Sequence, residues 1–382
     1  MMDFSFTPEQ EELRKSVVDF ARKELNGDLL LEEREARFSR EKWRAAARFG
    51  LHGLPVPDAY GGTGRDLLTT VAAMEGLGYG CRDNGLIFSI NAHVWSAEVP
   101  ILRFGSAAQK ERFLPPLVNG DWVAVHAMTE EGSGSDAFNV ATTATRRGGR
   151  YVLKGSKIFI TNAPEADLLV VFATVDASLG PDGISAFLVR KGTPGLSVSR
   201  NLDKMGLRTS PMGEVFLDDC DVAAEDLLGE EGAGAAIFNS SMDYERACIL
   251  AANVGTLERQ LETCVERART WRRFGQPIGK FQSISNKIAD MKVRLETARL
   301  LLYRTAWLKD QGKRASMESA MAKLYISECL VKSSLDAIQI FGGYGYMTEY
   351  GIERDLRDAV GGTIYSGTSE IQRHIIARHL GL

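Results

Sequence analysis

Residues 151–175 read YVLKGSKIFITNAPEADLLVVFATV: two runs rich in β-branched and aromatic side chains, parted by a turn signal. Tyr151 to Phe159 and Leu168 to Val175 therefore predict strands, and Ile184 to Val189 and Glu214 to Leu217 repeat the pattern between Gly, Pro, Asn and Asp. Outside this stretch the period changes. Upstream, Thr7-Pro8 with Gln10 three residues after Thr7 predicts a capped helix start, and Leu13, Val17, Ala21 and Leu25 follow at helical spacing. A second helical stretch from Trp43 to Leu51 runs into Pro55, Pro57 and Gly61-Gly62, after which helical pattern continues to about Val118. From about Gly234 it returns, as in Ile284, Ile288, Met291 and Leu295 and then Leu300 to Trp307. The order is helices, sheet, helices. It predicts an N-terminal helical domain (1–118), a middle β domain (119–228) and a C-terminal helical domain (229–382), without repeats or low-complexity segments.

The composition bounds the function. A chain of 382 residues with 44% hydrophobic and 25% charged residues and a net charge of -4 reads as an ordinary globular protein, with no basic excess to draw it to nucleic acid. Cys81, Cys220, Cys248, Cys264 and Cys329 lie far apart without a CxxC pair, which points to a reducing compartment and to neither disulfides nor a bound metal. The opening MMDFSFTPEQEELRK carries no signal or transit pattern, and no apolar run reaches spanning length, so a cytoplasmic protein that does not enter a membrane is expected.

Five segments carry residues suited to chemistry. Met128 to Asp136, MTEEGSGSD, collects small residues and hydroxyls that let backbone N–H groups approach a phosphate or ring, although turn formers in a solvated loop give the same composition. In Lys157 to Asn162, KIFITN, an aromatic and a hydroxyl stand two residues apart, hence on one face of a strand. Most such aromatics are core; the Thr can still donate to a heterocycle nitrogen. Arg269 to Gln282, RTWRRFGQPIGKFQ, is a cationic helix end running into a Gly/Pro turn. Gln339 to Tyr346, QIFGGYGY, and Tyr365 to Gln372, YSGTSEIQ, lie near the end, the latter opening a helix whose first N–H groups suit an anion such as a pyrophosphate.

In this order MTEEGSGSD, KIFITN, RRFGQPIGKFQ, QIFGGYG, RDA and IYSGTSEIQR resemble the acyl-CoA dehydrogenase family from end to end. The resemblance implies a mainly α protein with a central β domain: an N-terminal helical domain, a β-barrel-like middle domain and a C-terminal four-helix bundle. It also implies FAD as cofactor, shared between subunits of a homo-oligomer, a dimer or a tetramer. By the same resemblance Phe159 lies against the flavin, Thr161 bonds near its N5, and Met128, Thr129 and Ser135 line the flavin and pyrophosphate region. Arg272, Phe274, Gln339, Gly342, Gly343, Thr368 and Glu370 match positions that hold the FAD. Ser135, Arg246, Tyr365 and Ser366 match positions facing substrate.

The family's reaction needs a base for the α-proton while the β-hydrogen leaves as hydride. Many members carry a Glu for this in a YEGT-like segment, where this chain has Ser366. A serine hydroxyl is too weakly basic without a partner, although its backbone N–H still suits a thioester oxygen. The family's second solution is a Glu on the first long C-terminal helix, and Glu245 of MDYERA stands there. Independently of the resemblance, Phe238, Met242, Glu245, Ile249 and Ala252 recur at helical spacing, so an acid sits within an apolar stripe. Its alternative role is a structural ion pair with Arg246 or a more distant cation. Trp271 replaces the Arg that usually reaches the pyrophosphate, with Arg272 or Arg269 as substitutes.

SSMDYERACILAA, IYSGTSEIQ and GLIFSINAH are similar to the carrier-protein-acting branch, exemplified by prolyl-thioester dehydrogenases. The expected partners are acyl-CoA or an acyl or aminoacyl carrier protein, and an electron-transfer flavoprotein. A flavin oxidase or monooxygenase on the same fold, or a binding scaffold without a base, are the alternatives.

Overall fold

A computed structural model of the chain describes residues 6–382, and the targeting reading of residues 1–5 lies outside the described residues. Helix α1 (Pro8–Glu24) opens on the expected capping box. The Gln10 N–H donates to the Thr7 hydroxyl at 3.3 Å, and the Thr7 N–H donates to the Gln10 side chain at 3.1 Å. Two amides the helix cannot pair internally are thus satisfied. There follow α2 (Leu29–Arg34), α3 (Arg40–Phe49), α4 (Leu67–Gly80), α5 (Asn84–His93), α6 (Val99–Phe104) and α7 (Ala107–Val118).

The sheet consists of β1 (Ala124–Ala127), β2 (Thr143–Arg147), β3 (Arg150–Thr161), β4 (Leu168–Thr174), β5 (Ile184–Arg190), β6 (Leu196–Val198), β7 (Met212–Ala223) and β8 (Leu227–Leu228). Its order is β6-β7-β3-β2-β4-β5-β8, with β1 pairing in parallel to β4. Every residue of β4 is buried, because both of its faces are covered. Leu168, Val170 and Phe172 pack with Ile101 of α6 and Phe113 and Leu117 of α7. Leu169, Val171 and Ala173 point the other way, into a core with Leu153, Val215 and Leu217 inside the curved sheet.

The C-terminal helices are α8 (Gly234–Cys248), α9 (Ala251–Thr270), α10 (Gln282–Asp310), α11 (Ser316–Phe341), α12 (Gly343–Tyr346), α13 (Ile352–Gly362) and α14 (Ser369–His379). Of these, α8, α9, α10, α11 and α13 share one apolar core with α1, α3, α4 and α5. Where α4 crosses α9 the backbones touch: a Cβ on Gly78 would lie 1.8 Å from the Ala252 carbonyl oxygen. Only glycine permits that approach. Beside it the fully buried Glu75 accepts from Arg299 at 2.8 Å and from Arg14 at 3.3 Å, and also bonds the Tyr303 hydroxyl, so its charge is paired.

The apolar stripe through Glu245 is not one helix, as its spacing suggested. α8 ends at Cys248 and α9 begins at Ala251. The Ile249 N–H still donates to the Glu245 carbonyl at 2.8 Å and the Asn253 N–H to that of Leu250 at 3.0 Å. The tightened turn thus keeps the phase, and Met242, Glu245, Ile249 and Ala252 are all buried.

Candidate active site

Glu245, 7% exposed, stands in the last turn of α8. Its partners are hydroxyls. Ser96 Oγ donates to Oε2 at 2.7 Å, and Ser366 Oγ donates to Oε1. The structural ion pair with Arg246 does not form; Arg246 turns its Nε to the Ser366 carbonyl at 3.4 Å. Burial raises the Glu245 pKa above the usual carboxylate value, opposed in part by the two hydroxyls and by the charges of Arg246 and Lys323. A carboxyl so raised, and held by hydroxyls that can rotate, is suited to take up a proton.

Ser366 sits in a strained turn. It has φ 55° and Gly367 has φ 88°, and a left-handed non-glycine residue costs roughly 1–3 kcal/mol. Buried side chains hold the turn from behind. Gln372 Nε2 donates to the carbonyls of Ser366 (3.1 Å) and Gly367 (2.8 Å), and Lys323 Nζ donates to the latter at 2.7 Å. Burial brings the Lys323 pKa down to about 8. The backbone N–H groups of Ser366, Gly367 and Thr368 have no acceptor among the described residues. The first turn of α14, read from sequence as an anion site, is instead largely closed internally: the Ser369 N–H donates to Thr363 at 3.0 Å and the Ile371 N–H to the Thr368 hydroxyl at 3.3 Å. The available donors therefore lie in the turn before the helix. Tyr365 packs its ring on Phe88 of α5, with centroids 4.5 Å apart.

MTEEGSGSD and KIFITN are laced together at the sheet. The buried Lys157 donates to Glu130 at 2.6 Å and to the Met128 carbonyl at 3.2 Å, while the Ile158 N–H donates to the Thr129 carbonyl at 2.9 Å. A bulge between Lys157 and Ile160 gives Phe159 φ 58° and leaves its ring 60% exposed. The plain two-residue alternation expected for Phe159 and Thr161 is thereby interrupted. Thr161 is half-buried and Ser135 exposed. Asn162, which follows Thr161, donates to the Ser89 carbonyl at 3.0 Å, so α5 links this strand end to the Tyr365 turn.

A second group lies around a short hairpin, Arg272–Arg273 paired with Gln276–Pro277. Its tip places Phe274 at φ 51° and 93% exposed, while Arg272 Nη2 donates to the Gly275 carbonyl at 2.6 Å. Trp271 meets Tyr344 edge-on at 5.3 Å, which brings the hairpin beside the QIFGGYG segment with its exposed Gln339, Gly342 and Gly343. Arg267 lays its guanidinium 3.5 Å over the Trp271 ring. Arg273 lies 4.6 Å from the same ring, and the sequence reading singled out neither contact.

Glu245, Arg246, Tyr365 and Ser366 thus come together, followed in the chain by Thr368 and Glu370; Met128, Thr129, Phe159 and Thr161 gather at the bulged end of β3. Arg272, Phe274, Gln339, Gly342 and Gly343 form the separate hairpin group. Sequence reasoning also missed Ser96, Lys323 and the Glu130–Lys157 pair. Only Ser96 had a visible sign, Pro100 four residues later in a helical stretch.

The chain belongs to the acyl-CoA dehydrogenase family: the family's N-terminal, middle and C-terminal domain models match residues 7–121, 126–220 and 232–381. It is 44% identical to an L-prolyl-[peptidyl-carrier protein] dehydrogenase of Pseudomonas fluorescens over 382 residues, all of both chains. Among solved structures it is similar to the prolyl acyl carrier protein oxidase AnaB, with TM-score 0.98 and 50% identity over 99% of this chain and 100% of that one. PigA with FAD and proline gives TM-score 0.98 and 44% identity, with both chains fully covered.

Proposed function

We propose that this protein is an FAD-dependent dehydrogenase that oxidises the α,β-bond of an acyl or aminoacyl thioester, with a prolyl group on a carrier protein as its substrate. The observation that carries this reading is Glu245: a buried carboxyl of raised pKa hydrogen-bonded to Ser366, the residue that stands where many relatives have their base. Full-length identity to a prolyl-carrier-protein dehydrogenase supports the substrate.

The residues present fit the cofactor. Phe159 offers an uncovered aromatic face on a bulged strand beside Thr129 and Thr161, and Gly132, Gly134, Gly342 and Gly343 front open space where a backbone can approach a ligand. FAD, when bound, supplies the acceptor for the hydride that leaves the β-carbon. Phe159, Thr161, Met128, Thr129 and Ser135 would hold the ring side, with Thr368 and Glu370. Arg272, Phe274, Gln339, Gly342 and Gly343 would hold the adenosine side across a homo-oligomer interface. The Ser366 N–H donates to the thioester oxygen, which acidifies the α-carbon. Glu245 takes the α-proton, and Arg246 and Tyr365 border the acyl arm. Location in the cytoplasm belongs to the same proposal; no helix among the described residues is long and apolar enough to cross a membrane.

Anaerobic mixing of the yellow enzyme with prolyl-carrier-protein thioester should bleach the flavin absorbance, and faster than butyryl-CoA does. Bleaching by CoA thioesters alone would overturn the carrier assignment. A second reading concerns the electron acceptor, because AnaB is described as an oxidase. Stopped-flow mixing of reduced enzyme with oxygen separates the two: reoxidation as fast as turnover marks an oxidase, and slow reoxidation marks a dehydrogenase that passes electrons to a transfer flavoprotein.

A further inference from the structure

Between α5 and α6 the chain widens into a π turn, Val94–Glu98, closed by the Val99 N–H donating to the Val94 carbonyl. The sequence explains it. Pro100 has no N–H for the Ser96 carbonyl four residues earlier, and its ring crowds that carbonyl, which a wider turn relieves. Two contacts brace the turn. His93 Nε2 lies 3.0 Å from Glu98 Oε1, five residues apart, and both side chains are fully buried. His93 Nδ1 accepts from the Ala124 N–H at 2.9 Å, which leaves its proton on Nε2, toward the Leu117 carbonyl at 3.4 Å. Trp95 Nε1 donates to Asn91 at 3.0 Å. Ser96, buried between these anchored neighbours, directs its hydroxyl to Glu245 Oε2.

We propose that Ser96 is a positioning residue for Glu245: its hydroxyl anchors Oε2 from the braced π turn, so that Oε1 is the oxygen that takes the substrate proton. The inference rests on Glu245 being the base. Of the two serines, Ser366 occupies a half-buried turn, whereas Ser96 is buried on a braced one, so Ser366 is the partner that lets go. The charged and titratable groups facing Glu245 are Arg246 on its own helix, with Asp243 behind it, Lys323 on α11 and Tyr365 on the turn before α14. The π turn adds His93 and Glu98, which lie 3.0 Å apart. Ser96 stabilises the charged carboxylate, so its loss makes Glu245 harder to ionise.

The test is the pH dependence of flavin bleaching by substrate in single turnover. In Ser96→Ala the acid limb should move to higher pH, with the rate below the limb down about tenfold and the plateau within about threefold of wild type. Ser96→Thr, which keeps the hydroxyl, should restore the limb. Titration of Lys323 falls on the alkaline side and is common to all these variants. The infrared band of the protonated Glu245 carboxyl, identified by its loss in Glu245→Gln, should titrate at higher pH in Ser96→Ala than in wild type. An unmoved limb with an unmoved band overturns the role of Ser96 and leaves Glu245 as base. A Glu245→Gln protein that bleaches at the wild-type rate overturns the base reading itself.

Discussion

The hydroxyl of Ser366 is bonded to the carboxylate of Glu245. The two positions therefore meet at one point in space from elements 121 residues apart. Ser366→Ala should slow flavin reduction by about tenfold, far less than Glu245→Gln, since one hydrogen bond to a charged group is lost while the backbone donor stays. A loss as large as that of Glu245→Gln would make Ser366 part of the proton path. Thr161→Val should lower the hydride-transfer rate and shift the flavin spectrum; an unchanged spectrum and rate would remove Thr161 from the cofactor's edge. The burial of Glu245 was legible because an acid interrupted an apolar stripe. Ser96 was not, because its partner lies 149 residues away and the π turn that aims it follows from Pro100 and buried side chains together.

Elements that bury both faces were the easiest to read. LLVVFAT of β4 is a continuous apolar run because helices cover one side and the curved sheet the other. The break between α8 and α9 was hidden, since a turn that preserves helical phase leaves the periodic pattern intact. The α4–α9 crossing has a direct test: Gly78→Val drives a side chain into the Ala252 carbonyl and should cost at least about 2–3 kcal/mol, seen as a lower Tm. A Tm equal to wild type would mean that the helices separate without cost. On α13, Asp358 is buried, and burial raises its pKa to about 7 despite bonds from the Leu207 N–H (2.6 Å) and Asn84 (3.0 Å). The folded state thus holds this proton more tightly than the unfolded one. The stability so contributed is complete below about pH 4 and is lost as pH rises through about 7. Asp358→Asn should therefore gain Tm relative to wild type between pH 5 and pH 8. A difference constant across that range would show that Asp358 titrates normally.

The whole molecule places two of the five chemical segments at the sheet and three on the C-terminal helical part, and leaves the hairpin group apart from Glu245. Phe274 is 93% exposed and Tyr346 80%, beside Trp271 and Tyr344, a surface that a lone chain leaves wet. On the proposed shared cofactor site, Phe274→Ser should lower FAD occupancy and weaken the oligomer together in sedimentation velocity. A monomer with full FAD would contradict that arrangement. The proposed role of Glu245 as base is tested most directly by rapid anaerobic mixing of Glu245→Gln, loaded with FAD, with prolyl-carrier-protein thioester. Gln keeps the shape and accepts the serine hydroxyls but takes no proton, so bleaching should slow about 100-fold or more while FAD binding is retained; bleaching at the wild-type rate would show that another group takes the α-proton.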